Sequence, residues 1–101
     1  MSDLAEHLAS RRSFAQLRPG EMDEMVQFVA EMLARAVTDG ATRMHTRPGE
    51  VTWEGQEHAG GLGTMDFGPS LELLLERDAV LAKHVQLAER HGDDRTFLIR
   101  A

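Results

Sequence analysis

The spacing of apolar residues predicts a long amphipathic helix at about residues 19–39. Apolar positions recur there every three or four residues, while Gln27, Glu31 and Arg35 occupy the opposite side. The apolar set consists of Met22, Met25, Val26, Val29, Met32, Leu33, Ala36 and Val37. Gly40 follows the set and is suited to the left-handed conformation that closes a helix. Similar spacing of Leu4 and Leu8 predicts a short helix at about residues 3–12.

A further long helix is predicted at about residues 70–91, where two apolar stripes follow helical spacing. The first stripe contains Leu71, Leu74, Leu81, Val85 and Ala88, and the second contains Leu73, Val80, His84, Leu87 and His91. Together they cover about half of the helix circumference. An apolar arc of this width indicates burial on two sides of the helix.

The middle of the chain, residues 40–69, contains seven of the nine glycines and two of the three prolines, so it does not form a continuous helix. Pro48 and Gly49 fit the central positions of a type II turn, which predicts a β-hairpin that pairs residues 42–46 with residues 51–54. The alternatives for this segment are a binding loop and a segment that becomes ordered on a partner. Residues 95–100 have the composition of a short strand.

These elements predict one small domain over residues 1–101 with a mainly α (α+β) fold. In this fold the helices at 19–39 and 70–91 pack antiparallel across the glycine-rich connection. A small β-hairpin and a short C-terminal strand complete it.

Composition and charge exclude several classes of protein. Among 101 residues, 17 are acidic and 11 are basic, giving a net charge of −6 that disfavours binding to a nucleic-acid backbone. The absence of cysteine excludes disulfides and thiolate metal sites. No apolar run approaches the roughly 18 residues that a membrane span requires, and the N-terminus lacks the pattern of a signal peptide. We therefore expect a small acidic domain in the cytoplasm, with no membrane and no nucleic acid as partner.

Surplus apolar surface on the second stripe suggests a function. Leu73, Val80, His84 and Leu87 lie on that stripe, and Trp53 lies in the flexible middle segment. With only five aromatic residues for a core, these side chains predict an interface. We expect a non-enzymatic protein-interaction module that either self-assembles as a homo-oligomer or serves as an accessory subunit of a larger complex. In the alternative interpretation the stripe and Trp53 belong to the core of a monomer.

A different hypothesis is a small metal-binding protein or metalloenzyme. His45, Glu54, Glu57 and His58 lie in or near the predicted hairpin, and imidazole with carboxylate is a ligand set for a divalent transition metal. The leading hypothesis involves no cofactor and no catalytic residue, since no serine lies in a Gly-x-Ser-x-Gly turn. A third hypothesis places an anion at the free amides of a helix that begins near Ser70.

The sequence Trp53-Glu54-Gly55, with predicted helices on either side, is similar to the Trp-x-Gly turn of the ESX-secreted helical-hairpin family. The resemblance covers the overall plan of about 100 cysteine-free residues. It implies an alternative fold and location, a secreted α-helical dimer in which this turn joins two helices.

Overall fold

The computed structural model describes residues 3–17, 21–62 and 65–100. The described helices and strands are α1 (Asp3–Leu17), α2 (Glu21–Thr38), β1 (Arg43–Arg47), β2 (Glu50–Trp53), β3 (Gln56–Ala59), β4 (Gly61–Leu62), β5 (Met65–Asp66), α3 (Phe67–Arg77), β6 (Val85–His91) and β7 (Asp94–Ile99). A single 3-10 turn, Leu81–Lys83, precedes β6. The predicted start of the second helix at residue 19 lies outside the described residues.

The fold is α+β, with a five-stranded antiparallel sheet in the order β3–β2–β1–β7–β6. The prediction of two long antiparallel helices beside a small β element is therefore wrong. Only α2, with 18 residues, has the expected length, and its neighbour along the chain, α1, packs along it. The predicted helix over 70–91 is an 11-residue helix followed by a 3-10 turn and a strand.

Asp78 marks the point at which the predicted long helix ends. Its backbone has the extended angles φ −115° and ψ 95°. Its Oδ1 accepts a hydrogen bond from the Leu81 amide over 3.0 Å and so caps the 3-10 turn. The residues after this turn pair with β7 from Val85 opposite Ile99 to His91 opposite Asp94. This pairing outweighs the helical spacing of the apolar residues, since strand formation depends strongly on tertiary context.

Two tight turns connect the first three strands. Gly49, at φ 74°, closes the predicted hairpin between β1 and β2, in which Thr46 lies opposite Val51. Glu54 and Gly55 have φ angles of 52° and 76°, the positive pair typical of a type I′ hairpin turn, and join β2 to β3. The Trp53-Glu54-Gly55 segment therefore joins two strands and not two helices, which removes the basis for a helical hairpin. Strand β3 was not predicted.

The helices cover one face of the sheet and leave the other face open. Side chains in β1 and β7 alternate between exposed and buried, so that Met44 and Phe97 face the helices while His45 faces solvent. The largest fully buried side chains are Trp53, Phe67, Phe97, Leu4, Leu8, Leu33, Met44, Leu71, Leu81, Val29, Val51 and Val85. These residues come from all three helices, the 3-10 turn and four of the strands, so the core is one layer between helices and sheet.

Candidate functional site

The structure places the five predicted interface residues in different parts of the fold. Trp53 is 1% exposed on the core side of β2, and its Nε1 donates a hydrogen bond to Oδ2 of Asp39 over 2.8 Å. Its ring stacks on that of His58, with ring centroids 3.7 Å apart and planes at 10°. Trp53 is thus a core residue of this chain and offers no ring surface to a partner.

The other four residues do not form the predicted single stripe. Leu73 is half-buried on α3, and His84 is half-buried just before β6, where its Nδ1 lies 2.8 Å from the carbonyl oxygen of Arg100. Leu87 is half-buried on β6. Val80 lies in the turn before the 3-10 turn and is 43% exposed, the most open large apolar side chain in the described part of the chain. Because the helix ends at Arg77, the spacing that would align these residues is lost.

An apolar groove of about 340 Å³ lies between α3 and β6. We call it the α3–β6 groove, and its lining consists of Glu72, Leu75, Glu76, Ala82, Val85, Gln86 and Leu87. Leu73 does not take part, because at 100° per residue it lies 160° around α3 from Leu75. Leu87 therefore belongs to this surface while Leu73 belongs to the opposite flank of the helix.

Strand β6 is an edge of the sheet. Two hydrogen bonds show which of its residues direct their backbone N–H and C=O groups towards β7 and which direct them outward. Ile99 donates its amide to Thr42, on the side away from β6, over 2.9 Å. Arg100 donates its amide to the carbonyl of His84 over 2.7 Å. Residues along an antiparallel strand alternate between the two neighbours, so Gln86 directs its backbone groups to β7. Val85, the residue opposite Ile99, and Leu87 direct theirs outward, to the free edge.

The two halves of β6 differ in how this edge is protected. A bulge interrupts the pairing with β7 between Leu87 and Glu89, and the residues after it are the charged Glu89 and Arg90. Bulges and charges are devices that prevent edge strands from pairing with other chains. The segment from Val85 to Leu87 has neither device. It combines free backbone groups with the apolar groove, and it is the part of the edge best suited to add a strand.

Four charged side chains form the electrostatic surroundings of the groove. Oε2 of Glu72 accepts a hydrogen bond from Nε of Arg95 over 2.8 Å, and its Oε1 lies 3.3 Å from Nη1 of Arg90. The Arg95 side chain is only 6% exposed, so this pair fixes one wall of the groove. Glu76 is exposed on the same side of α3, and no ion pair joins it to another described residue. The rim therefore presents a free carboxylate.

A separate polar cleft of about 260 Å³ lies on the open face of the sheet. We call it the sheet-face cleft, and its solvent-facing side chains are His45, Arg47, Glu89, His91, Asp94 and Thr96. Nδ1 of His45 lies 3.0 Å from Oγ1 of Thr96. The buried Arg95 also lines the cleft, so two carboxylates and two guanidinium groups balance and offer an anion no net attraction. In the described ranges, no group of three or more His, Asp and Glu side chains has the geometry to hold a metal ion.

The alternative metal site is not assembled. His45 is opposite Thr52, and Thr52 is opposite Glu57, so these three residues share the open face. His45 and Glu57 are separated by two strand spacings, about 10 Å. His58 lies on the other face against Trp53, and Glu54 lies in the turn. Two imidazoles on opposite faces of a sheet do not bind one ion.

The hypothesis of an anion at the start of the third helix also fails on geometry. The helix begins at Phe67, and Gly68 and Ser70 in its first turn are both buried. A Cβ atom added to Gly68 would lie 2.5 Å from Oγ1 of Thr46. The helix start thus packs closely against β1, and the amide of its first residue, Phe67, already donates a hydrogen bond to the carbonyl of Gly60.

The free edge segment Val85–Leu87 was not predicted from the sequence because it depends on strand order. Val85 and Leu87 alternate as strand residues do, yet only the position of β6 outside β7 makes their backbone groups free. Comparison with known protein families, curated proteins and solved structures found no match to this chain. Among the helices in the described ranges, none is long and apolar enough to cross a membrane.

Proposed function

We propose that this chain is a non-enzymatic protein-interaction module that adds an extended strand of a protein partner to the edge of β6. The observation that carries the proposal is the segment from Val85 to Leu87, where outward backbone groups lie beside the α3–β6 groove. Such a module either assembles with itself or serves as an accessory subunit of a larger complex.

Strand addition divides its contributions between backbone and side chains. Main-chain hydrogen bonds to the free edge provide affinity, and pockets for alternate side chains provide specificity. Val85 and Leu87 supply the outward amides and carbonyls, while the groove beside them accepts an apolar side chain of the added strand. A volume of about 340 Å³ is at the lower end of the range for ligand pockets and suits side chains better than a whole small molecule.

Charge adds a second element of recognition. Glu76 is a free carboxylate at the rim, and the chain carries a net charge of −6. A partner strand with a basic residue beside its apolar anchor gains from both. Exposed ion pairs contribute only about 0.2–1 kcal/mol each, so this charge selects among strands while the groove and the backbone hold them.

A blocked peptide Lys-Val-Thr-Leu-Lys, titrated into isotope-labelled protein and followed by NMR, tests the proposal. We expect shift changes confined to β6 and to residues 72–76 of α3, with slowed amide exchange at Val85 and Leu87. The same peptide with N-methylated backbone amides cannot donate hydrogen bonds and is expected not to bind. Shift changes centred on the open sheet face, or none at all, would contradict strand addition at β6.

A matched pair of variants separates the groove from the helix that forms it. Leu75 and Leu73 are both half-buried on α3, but only Leu75 lines the groove. We expect Leu75→Gln to abolish peptide binding and Leu73→Gln to leave it intact. The chemical-shift dispersion of the NMR signals should show that both variants remain folded. Equal losses in the two variants would assign the effect to general destabilisation of α3.

A further inference from the structure

We infer that the strand added to β6 is β6 of a second copy of this chain, related to the first by a two-fold axis through Gln86 and perpendicular to the sheet. The inference rests on the proposed function, because it names the occupant of the same edge. It makes the module a symmetric dimer with one continuous sheet across both copies.

The register follows from the backbone groups that point outward. In an antiparallel pair, a residue with outward groups exchanges both hydrogen bonds with one directly opposite residue. Val85 opposite the second copy's Leu87, and Leu87 opposite the second copy's Val85, uses every outward group of the unprotected segment. A shift by one residue would place core-facing side chains against solvent-facing ones. A register centred on Val85 would require pairing by the 3-10 turn, and one centred on Leu87 would require pairing by the bulge.

The side chains of the segment are self-complementary in this register. On the helix-covered side, each Leu87 lies next to the Val85 of the other copy and enters the end of its α3–β6 groove. On the open side, the two Gln86 side chains face each other as a pair without backbone hydrogen bonds between them. Amide groups at such a pair can exchange hydrogen bonds, and the exposed Gln86 carries no charge to oppose the contact.

Charge complementarity supports a second copy as the occupant. In the same arrangement the 3-10 turn that carries Lys83 of one copy lies towards the bulged end of the other copy's β6, which carries Glu89, and the two-fold axis repeats this approach. Both side chains are exposed, and neither forms an ion pair with a described residue of its own chain. Within one chain Lys83 lies in the 3-10 turn before β6, Glu89 follows the bulge, and no ion pair joins them. The dimer thus offers the single lysine of the chain a carboxylate that it does not pair with among the described residues of its own chain.

The first experiment uses the absence of cysteine. Opposite residues in a pair without backbone hydrogen bonds have Cα atoms about 4.5 Å apart, within the range that a disulfide spans. We expect Gln86→Cys to form a covalent dimer on mild oxidation and Glu89→Cys, on the same strand, to form none. A Gln86→Cys protein that stays monomeric would overturn the two-fold register.

The second experiment uses charge reversal and reads the dimer dissociation constant by sedimentation velocity from micromolar to millimolar concentration. Lys83→Glu or Glu89→Lys alone should raise this constant about tenfold, since two exposed ion pairs become two like-charge contacts. The double variant K83E/E89K should return to the wild-type value. Failure of the double variant to restore association would exclude this pairing.

The two sets of measurements fail independently. If the wild-type chain is monomeric at millimolar concentration but the peptide still binds at β6, the docking edge stands and the second copy is not its occupant. If the peptide does not bind either, strand addition itself is wrong. A third outcome is assembly into open-ended oligomers without a disulfide between Gln86→Cys copies. This outcome would indicate that β6 pairs with β3, the other edge of the sheet, and would contradict the closed dimer.

Discussion

Nε2 of His7 lies 2.7 Å from Oδ2 of Asp78, and this contact joins α1 to the residue at which α3 ends. The Asp78 side chain is 2% exposed and also caps the 3-10 turn through the Leu81 amide. One buried carboxylate therefore contacts both the first helix of the chain and the turn that leads into β6.

Removal of this carboxylate should destabilise the protein strongly. We expect Asp78→Ala to lower the free energy of unfolding by about 3 kcal/mol, because it leaves buried donors without acceptors and removes a cap. Asp78→Asn should cost less, since its amide oxygen still accepts a bond from Leu81. Urea denaturation measures both, with the exposed Asp93→Ala as a control expected within about 0.5 kcal/mol of wild type. Equal effects of Ala and Asn would refute the capping role.

Gly60 and Gly68 lie so close to neighbouring atoms that an added Cβ would clash, and the two clashes should differ in their cost to stability. A Cβ at Gly60 would lie 2.5–2.7 Å from backbone atoms of Glu50, which have no freedom to move aside. We expect Gly60→Ala to cost about 3 kcal/mol in chemical denaturation, at the upper end for overpacking. Gly68→Ala should cost less, because its main clash is with the side-chain oxygen of Thr46. A larger loss at Gly68 than at Gly60 would contradict this order.

The double variant T46A/G68A tests the second clash directly. Without Oγ1, the nearest remaining contact is with Cβ of Thr46 at 3.2 Å, a tight contact that a small shift relieves. We expect Thr46→Ala to recover at least about 1 kcal/mol of the loss caused by Gly68→Ala, as a coupling energy in a double-mutant cycle. Additive effects would show that Gly68 is required for a reason other than Thr46.

Elements that depend on local chemistry were predictable from the sequence. Helix α2 follows from one continuous apolar stripe, and the hairpin of β1 and β2 follows from the turn residues Pro48 and Gly49. The β2–β3 turn was missed because Glu54 is not a usual residue for a positive φ angle. In each case the decisive interaction lies within a few residues along the chain.

Strand β6 was predicted as helix because its sequence satisfies both periodicities. Val80, His84 and Leu87 follow helical spacing, while Val85 and Leu87 alternate as in a strand. Pairing with β7, which lies between β1 and β6, selects the strand conformation over the helix for these residues. The free edge of β6 could not be predicted for the same reason, because edge position is a property of strand order and not of the strand's own residues.

Substitution by aspartate should have very different effects on the stability of the fold at the neighbouring residues Val80 and Leu81. Val80 is 43% exposed and Leu81 is 1% exposed. We expect Val80→Asp to lower the free energy of unfolding by about 1 kcal/mol or less, whereas Leu81→Asp should prevent folding because it buries an unpaired charge. Circular dichroism with thermal melting distinguishes the two. Unfolding by Val80→Asp would place Val80 in the core and remove it from the exposed surface.

His58 contains a buried nitrogen, Nε2, that lacks a hydrogen-bond partner in the described part of the chain. Nε2 of His58 makes no hydrogen bond with any described residue, although the ring stacks on Trp53. Phenylalanine keeps an aromatic ring at this position and removes the unpaired polar atom, so we expect His58→Phe to stabilise the fold by about 1 kcal/mol. His58→Ala should destabilise it, because the stacking is lost as well. If His58→Phe proves destabilising in urea denaturation, the nitrogen has a polar partner that stabilises the folded chain.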